Sequence, residues 1–270
     1  MNKAHILYLA HGGGPLPLLG DEAHREMVRC LRHIAGSMKK PSAILVISAH
    51  WEEETATVTS AARPPLIYDY NGFPEESYHI RYPCPGEPAL AEKTLRALRS
   101  SGIAARANEQ RGFDHGVFVP LKIMYPQADI PVVQLSLNSS LNAGRHLEMG
   151  RALRALAYDN LLVIGSGFSF HNMRAFFSEE TAATRAMNEA FESWLLETCG
   201  DTDMDEAHRW ERLLNWEEAP YARYCHPREE HLLPLHVCYG LAGRPCSESF
   251  ELRMLNKKSS MYLWRPEESM

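Results

Sequence analysis

The sequence predicts an α/β fold: a single domain with a central mixed sheet flanked by helices, and a functional site at the C-terminal ends of the strands. Three observations predict it. Short apolar runs alternate with segments of helical spacing along most of the chain, the pattern of a sheet covered by helices on both faces. No repeat, low-complexity tract or obvious linker interrupts the 270 residues, so one domain is expected over 1–270. Finally, three of the apolar runs lead into a histidine, and open α/β sheets bind ligands beyond the carboxyl ends of their strands.

Strands are expected at 4–10, 43–49, 55–60, 130–137 and 160–166, where apolar residues run together. Helices are expected at 21–38, 86–100, 117–124, 142–157 and 180–198. The segment 86–102 shows the reasoning: Pro88 stands early, apolar residues recur every three or four positions, and Gly102 supplies a stop. Residues 249–264, "SFELRMLNKKSSMYLW", read as two short strands joined by a polar turn, an edge hairpin that makes the sheet mixed. Two stretches lack strong periodicity. Residues 61–85 hold several prolines and aromatics, and loops of that length in compact domains are usually lids or binding loops. Residues 201–230 are acidic and tryptophan-rich, read as short helices beside the site.

Composition excludes several classes. A net charge of -6 and a pI near 6.1 argue against a nucleic-acid partner, which selects a clustered basic excess. No run approaches eighteen apolar residues, so no membrane span is expected, and Ile6–Ala10 is too short for a signal-peptide core. A cytoplasmic protein is the expectation. Its six cysteines show no CxxC spacing and are expected to be free thiols. A homo-oligomer is compatible with all of this.

The thirteen histidines carry the chemistry. A lone histidine is more often structural than a ligand, but His11, His50 and His171 all lie where expected strands end, beside glycine-rich or small-residue turns that let groups converge. His115 sits in "RGFDHGVFVPL", where Asp114 reads either as a helix N-cap or as part of a loop aiming His115 inward. His231 is placed near the start of a helix beginning at Pro227, with His226 and His236 as competitors. His5, His24, His33, His79, His146 and His208 read as surface or structural residues, with His79 a candidate lid contact. The P-loop ending, the GxSxG elbow and the HExxH zinc helix are all absent. Clustered imidazoles point to a first-row metal, with zinc hydrolysis and iron-dependent oxygen chemistry as the two candidates.

Seven motifs then occur in order: "HGGGP", "SAHW", "YDYNGFPEESYHIRYPCPG", "GFDHGVFVPL", "PVVQLSLN", "GSGFSFHN" and "PREEHLLPL". Together they resemble the class III extradiol ring-cleavage dioxygenases of the LigB type, closest to the 4,5-DOPA extradiol dioxygenase branch and its bacterial relatives. The resemblance implies one mononuclear divalent metal per chain, Zn2+ or non-haem Fe2+, held by His11, His50 and His231. Protocatechuate-cleaving relatives have a glutamate as third ligand where this chain, like the DOPA branch, has a histidine. The resemblance also implies His171 as the acid–base residue and His115 as a catalytic, substrate-binding residue. Because a bacterial member of the branch carries zinc, His171 is in addition a candidate fourth ligand. Tyr70, Phe73 and Tyr78 of the long loop are the expected substrate contacts. The implied partners are a small catechol-type substrate, DOPA-like, and O2. A zinc hydrolase on the same histidines, or a non-enzymatic binding protein of the same fold, stands as the alternative.

Overall fold

A computed structural model describes residues 4–266; of the expected domain, 1–3 and 267–270 lie outside the described residues. In chain order the elements are β1 (His5–Ala10), α1 (Arg25–Gly36), β2 (Ala43–Glu53), β3 (Ala56–Thr59), α2 (Pro88–Ser100), β4 (Ala105–Asn108), α3 (His115–Met124), β5 (Val132–Asn138), α4 (Ala143–Leu153) and β6 (Leu161–Gly167). There follow α5 (Met173–Phe176), α6 (Ala182–Gly200), α7 (Glu206–Leu214), α8 (Ala222–Cys225), α9 (Leu233–Ala242), β7 (Glu248–Met254) and β8 (Lys257–Trp264). One eight-stranded mixed sheet runs in the order β4-β3-β5-β2-β6-β1-β8-β7.

The centre of the sheet is parallel: β5 with β2, β2 with β6, β6 with β1. Parallel strands buried on both faces read as continuous apolar runs, which is why these four were visible in the sequence. The two faces can be assigned from neighbouring residues of β6, because successive side chains point opposite ways. A side chain at Gly165 would strike Cys238 and the Pro234 backbone of α9, whereas Ser166 hydrogen-bonds the Gly116 carbonyl of α3. Thus α9 covers one face and α3 the other. Since β1, β2 and β6 are parallel, their C-terminal ends share one edge.

Several boundaries differ from expectation, each for a local reason. β4, "ARAN", is four residues without an apolar run, and only its pairing with β3 makes it a strand. Strand β2 does not stop at 49. It continues through Glu53 on an irregular stretch where β2 advances from Ile47 to Glu52 while β5 advances only from Leu135 to Leu137. Pro227 begins no helix; α9 starts at Leu233 with Pro234 in its first turn, so His231 lies on the connection before it. The tail forms the expected hairpin, with β7 at the edge and β8 buried against β1. The 61–85 stretch is stapled by its own tyrosines, Tyr68 donating to the Ile80 carbonyl at 2.6 Å and Tyr70 to that of Ser77 at 2.7 Å. Within 201–230 the expected short helices are α7 and α8. All six cysteines are free, and among the described residues no helix is long and apolar enough to cross a membrane.

Four histidines away from the strand ends are buried structural residues. His146 accepts from the Asn138 N–H, and His226 and His236 point at the carbonyls of Ser169 and Leu213. His24 accepts from the Gly13 N–H at 2.9 Å and holds the glycine turn. Burial lowers all four, His146 and His236 to about 4 and His226 to about 3. The unfolded chain binds these protons near pH 6.5 and the native state does not, so native stability is lost as pH falls below that value. Glu192, raised to about 7 by burial, and buried Asp114, also raised, act in the opposite direction but are fewer. Metal-free protein is therefore expected to lose roughly ten degrees or more of Tm between pH 7.5 and 5.5. Thermal unfolding monitored by circular dichroism checks this; a flat Tm over that interval contradicts it.

Candidate metal centre

Three imidazoles meet at the shared strand edge. His11 follows β1 directly, its backbone N–H donating to the Gly167 carbonyl. His50 rides the irregular stretch of β2, and such bulges re-aim side chains. His231 is delivered by the segment before α9, whose carbonyl accepts from the Phe168 N–H at 3.0 Å and the Tyr8 hydroxyl at 2.8 Å. Gly167 makes that docking feasible, because a Cβ there would lie 2.0 Å from the His231 oxygen. One nitrogen from each ring lies within 4.8 Å of the others.

The far side of each ring decides its tautomer. Ser166 donates its hydroxyl to the Gly116 carbonyl, so its oxygen accepts from His11 Nδ1 at 3.0 Å. Glu230 Oε1 accepts from His231 Nδ1 at 3.0 Å, and Asp69 Oδ2 faces His50 Nδ1 at 3.6 Å. These acceptors place the proton of His11 and of His231 on Nδ1, the charge of Asp69 favours the same tautomer in His50, and each Nε2 then presents a lone pair. The Nε2 atoms of His11 and His50 stand 3.0 Å apart. Two lone pairs at that distance repel, whereas two nitrogens each about 2.1 Å from one ion stand roughly 3.0–3.4 Å apart. The donor set therefore fits a divalent cation. Burial first, then the neighbouring imidazoles, holds His11 and His231 well below the ordinary histidine range, and His50 is pushed down to about 3. All three are neutral at pH 7, the state in which an imidazole can take a cation.

Two further histidines flank the set. His171 stacks on His231 with ring centres 3.5 Å apart, and its Nδ1 lies 3.2 Å from the same Glu230 oxygen. It groups with Glu230 and His231, not with the nitrogens of His11 and His50. His115 opens α3, and both its backbone N–H and its Nδ1 bond Asp69 Oδ1, at 2.9 and 2.8 Å. Asp114 occupies the N-cap position without capping; its side chain bonds Ser48, Gln134 and Arg111 instead. Burial alone would raise Asp69 and Glu230, but their bonds to His115 and His171 outweigh it, and both are held below the usual carboxylate range.

A cavity of about 360 Å³ opens over the histidines. Tyr70 and Phe73 line it; Tyr78 does not, and packs behind Tyr70 with ring centres 5.4 Å apart. His79 is exposed against Glu75 and takes no part. His226 and His236, the competitors of His231, are spent on backbone carbonyls. Asp69, Glu230 and Ser166 were missed in the sequence. Glu230 adjoins His231 and was readable as its neighbour, while nothing in the spacing marks Asp69.

Compared with known proteins, residues 7–261 match the family described as "Catalytic LigB subunit of aromatic ring-opening dioxygenase". The chain is 40% identical to the dioxygenase tasH of Hapsidospora irregularis over 262 residues, 90% of this chain and 79% of that one. It is 37% identical to the 4,5-DOPA dioxygenase extradiol of Beta vulgaris, over 90% of this chain and 88% of the relative. The crystal structure of an uncharacterized protein from Escherichia coli K12 superposes with a TM-score of 0.76 at 29% identity, covering 97% of this chain and 99% of that one.

Replacing His50 by alanine removes one of three donors. Bound metal, measured by inductively coupled plasma mass spectrometry after dialysis, is expected to fall from about one ion per chain to well below half. Undiminished stoichiometry in H50A would take His50 off the ligand set.

Proposed function

The chain belongs to the LigB family of aromatic ring-opening dioxygenases, and from that premise we propose that it is a metal-dependent extradiol dioxygenase. It opens the ring of a catechol-type, DOPA-like substrate with O2, as a single cytoplasmic catalytic domain over 1–270. The observation that carries this reading is the set of three bare Nε2 atoms on one face of an apolar cavity, with a carboxylate-backed histidine beside them.

His11, His50 and His231 would hold the divalent metal, zinc or iron. Bound there, the metal would supply Lewis acidity toward the two catechol oxygens and, as Fe(II), the electron transfer that dioxygen needs. His171 takes the proton of one hydroxyl at Nε2. It is prepared for this because Glu230 accepts from its Nδ1 and the stacked His231 ring keeps it from turning. His115, oriented by Asp69, hydrogen-bonds the other hydroxyl and returns a proton as the ring opens beside the hydroxyl pair. Tyr70 and Phe73 pack against the ring and exclude water. Tyr78 supports them from behind. The zinc-hydrolase reading carries less weight, because Asp69 and Glu230, the carboxylates nearest the centre, are already engaged by imidazole N–H groups and neither is free as a general base.

His171→Ala is expected to keep its metal while turnover of a catechol, followed as oxygen uptake by iron-loaded protein, slows by roughly 10²–10⁴. Near-normal turnover would refute the acid–base role. Oxygen uptake absent across a catechol panel with either metal would refute the dioxygenase reading itself.

A further inference from the structure

The walls of the cavity say what kind of substituent the catechol carries. Beyond the histidines, its surface is built from apolar side chains, including Leu16, Phe73, Phe176 and Leu255, and no lysine, arginine, aspartate or glutamate lines it. Arg174, on the same short helix as Met173, is not part of the lining. A dry apolar cavity of about 150 Å³ is enough for benzene, so 360 Å³ leaves room beyond one ring. The mouth is apolar as well. Among the described residues only four large hydrophobic side chains are exposed, and two of them stand here: Met173 at 53% and Phe177 at 84%. Exposed apolar groups gathered at the rim of a cavity mark a contact surface, not chance.

A second, polar opening reaches the same histidines from the side of Ala49, Glu52, Arg228 and Glu230. Arg228 is held by both oxygens of Glu52, at 2.6 and 2.7 Å, and lies 3.5 Å from Glu230. Two carboxylates thus face one guanidinium, and an acidic substituent would meet like charge there. On the apolar side it would be stripped of water with no counter-charge.

We propose that the substrate is a catechol bearing an uncharged apolar substituent, seated against Phe73, Phe176 and Leu255, with Met173 and Phe177 as the residues that set this specificity. The inference rests on the catechol reading above and narrows it: the head is DOPA-like, the tail is not.

The test is equilibrium binding by anaerobic titration calorimetry to protein loaded with redox-inert Zn2+, using catechol, 4-butylcatechol and DOPA. A buried methylene is worth about three- to fourfold in affinity, so 4-butylcatechol is expected to bind roughly 30-fold or more tighter than catechol, with DOPA no tighter than catechol. Phe177→Arg is expected to weaken 4-butylcatechol at least about fivefold and to favour DOPA; Phe177→Ala should weaken 4-butylcatechol without favouring DOPA. Kinetic preference in the iron-loaded enzyme should follow the same order. Catechol binding with DOPA equal to or tighter than 4-butylcatechol would overturn the inference while leaving the dioxygenase reading standing. Failure of every catechol to bind would bring down both. A Phe177→Arg protein that changes only its self-association would assign the lip to contact between copies and overturn its role in specificity.

Discussion

Two imidazole nitrogens, Nε2 of buried His11 and of half-buried His50, face each other 3.0 Å apart. With the protons of both rings on their outer nitrogens, this contact is unfavourable unless a cation lies between the rings, and the surrounding structure favours those tautomers. Ser166 holds the proton of His11 on its outer nitrogen, Glu230 does the same for His231, and the charge of Asp69 favours it at His50. Glycines at 116 and 167 let backbone approach where any Cβ would collide, at 2.4 Å from Ser48 Oγ and 2.0 Å from the His231 oxygen respectively. The parallel strands β1, β2 and β6 bring their ends to one edge, so residues separated by more than two hundred positions meet there.

A second consequence concerns charge. Three neutral imidazoles offer a divalent cation no compensating anion in direct contact. The compensation lies one layer out, in Asp69 and Glu230, both held ionised by their bonds to histidine. Each carboxylate is shared: Asp69 faces His50 and His115, Glu230 faces His231 and His171. Each of these carboxylates is therefore also tied to a histidine outside the three-nitrogen set, so under the proposed roles binding a cation and moving a proton would draw on the same two anions.

Much of this was legible in the sequence because the chemistry sits where strong patterns end. His11 and His50 follow runs of buried apolar residues, and central parallel strands cannot be read as anything else at that length. His231 was recognisable by motif, but its placement was not: a proline at 227 looks like a helix start, and only the all-apolar α9 packed on the sheet shows that the helix begins at Leu233. The irregularity in β2 that turns His50 inward leaves no mark in composition, since pairing with β5 creates it. Asp69 was illegible for a different reason. It lies in an aperiodic loop whose shape is set by tyrosine hydroxyls bonding carbonyls seven and twelve residues away, contacts that local propensity does not encode. Tyr78 shows the converse, an aromatic credible as a substrate contact that the loop uses for its own packing.

The most direct test of the centre is crystallographic: an anomalous-difference map from crystals grown with the metal, collected at its absorption edge. The account predicts one peak per chain, bonded at about 2.0–2.3 Å to Nε2 of His11, His50 and His231, with Asp69 and Glu230 outside bonding distance. A peak among His171, Glu230 and His231, or one between His50, Asp69 and His115, would contradict it.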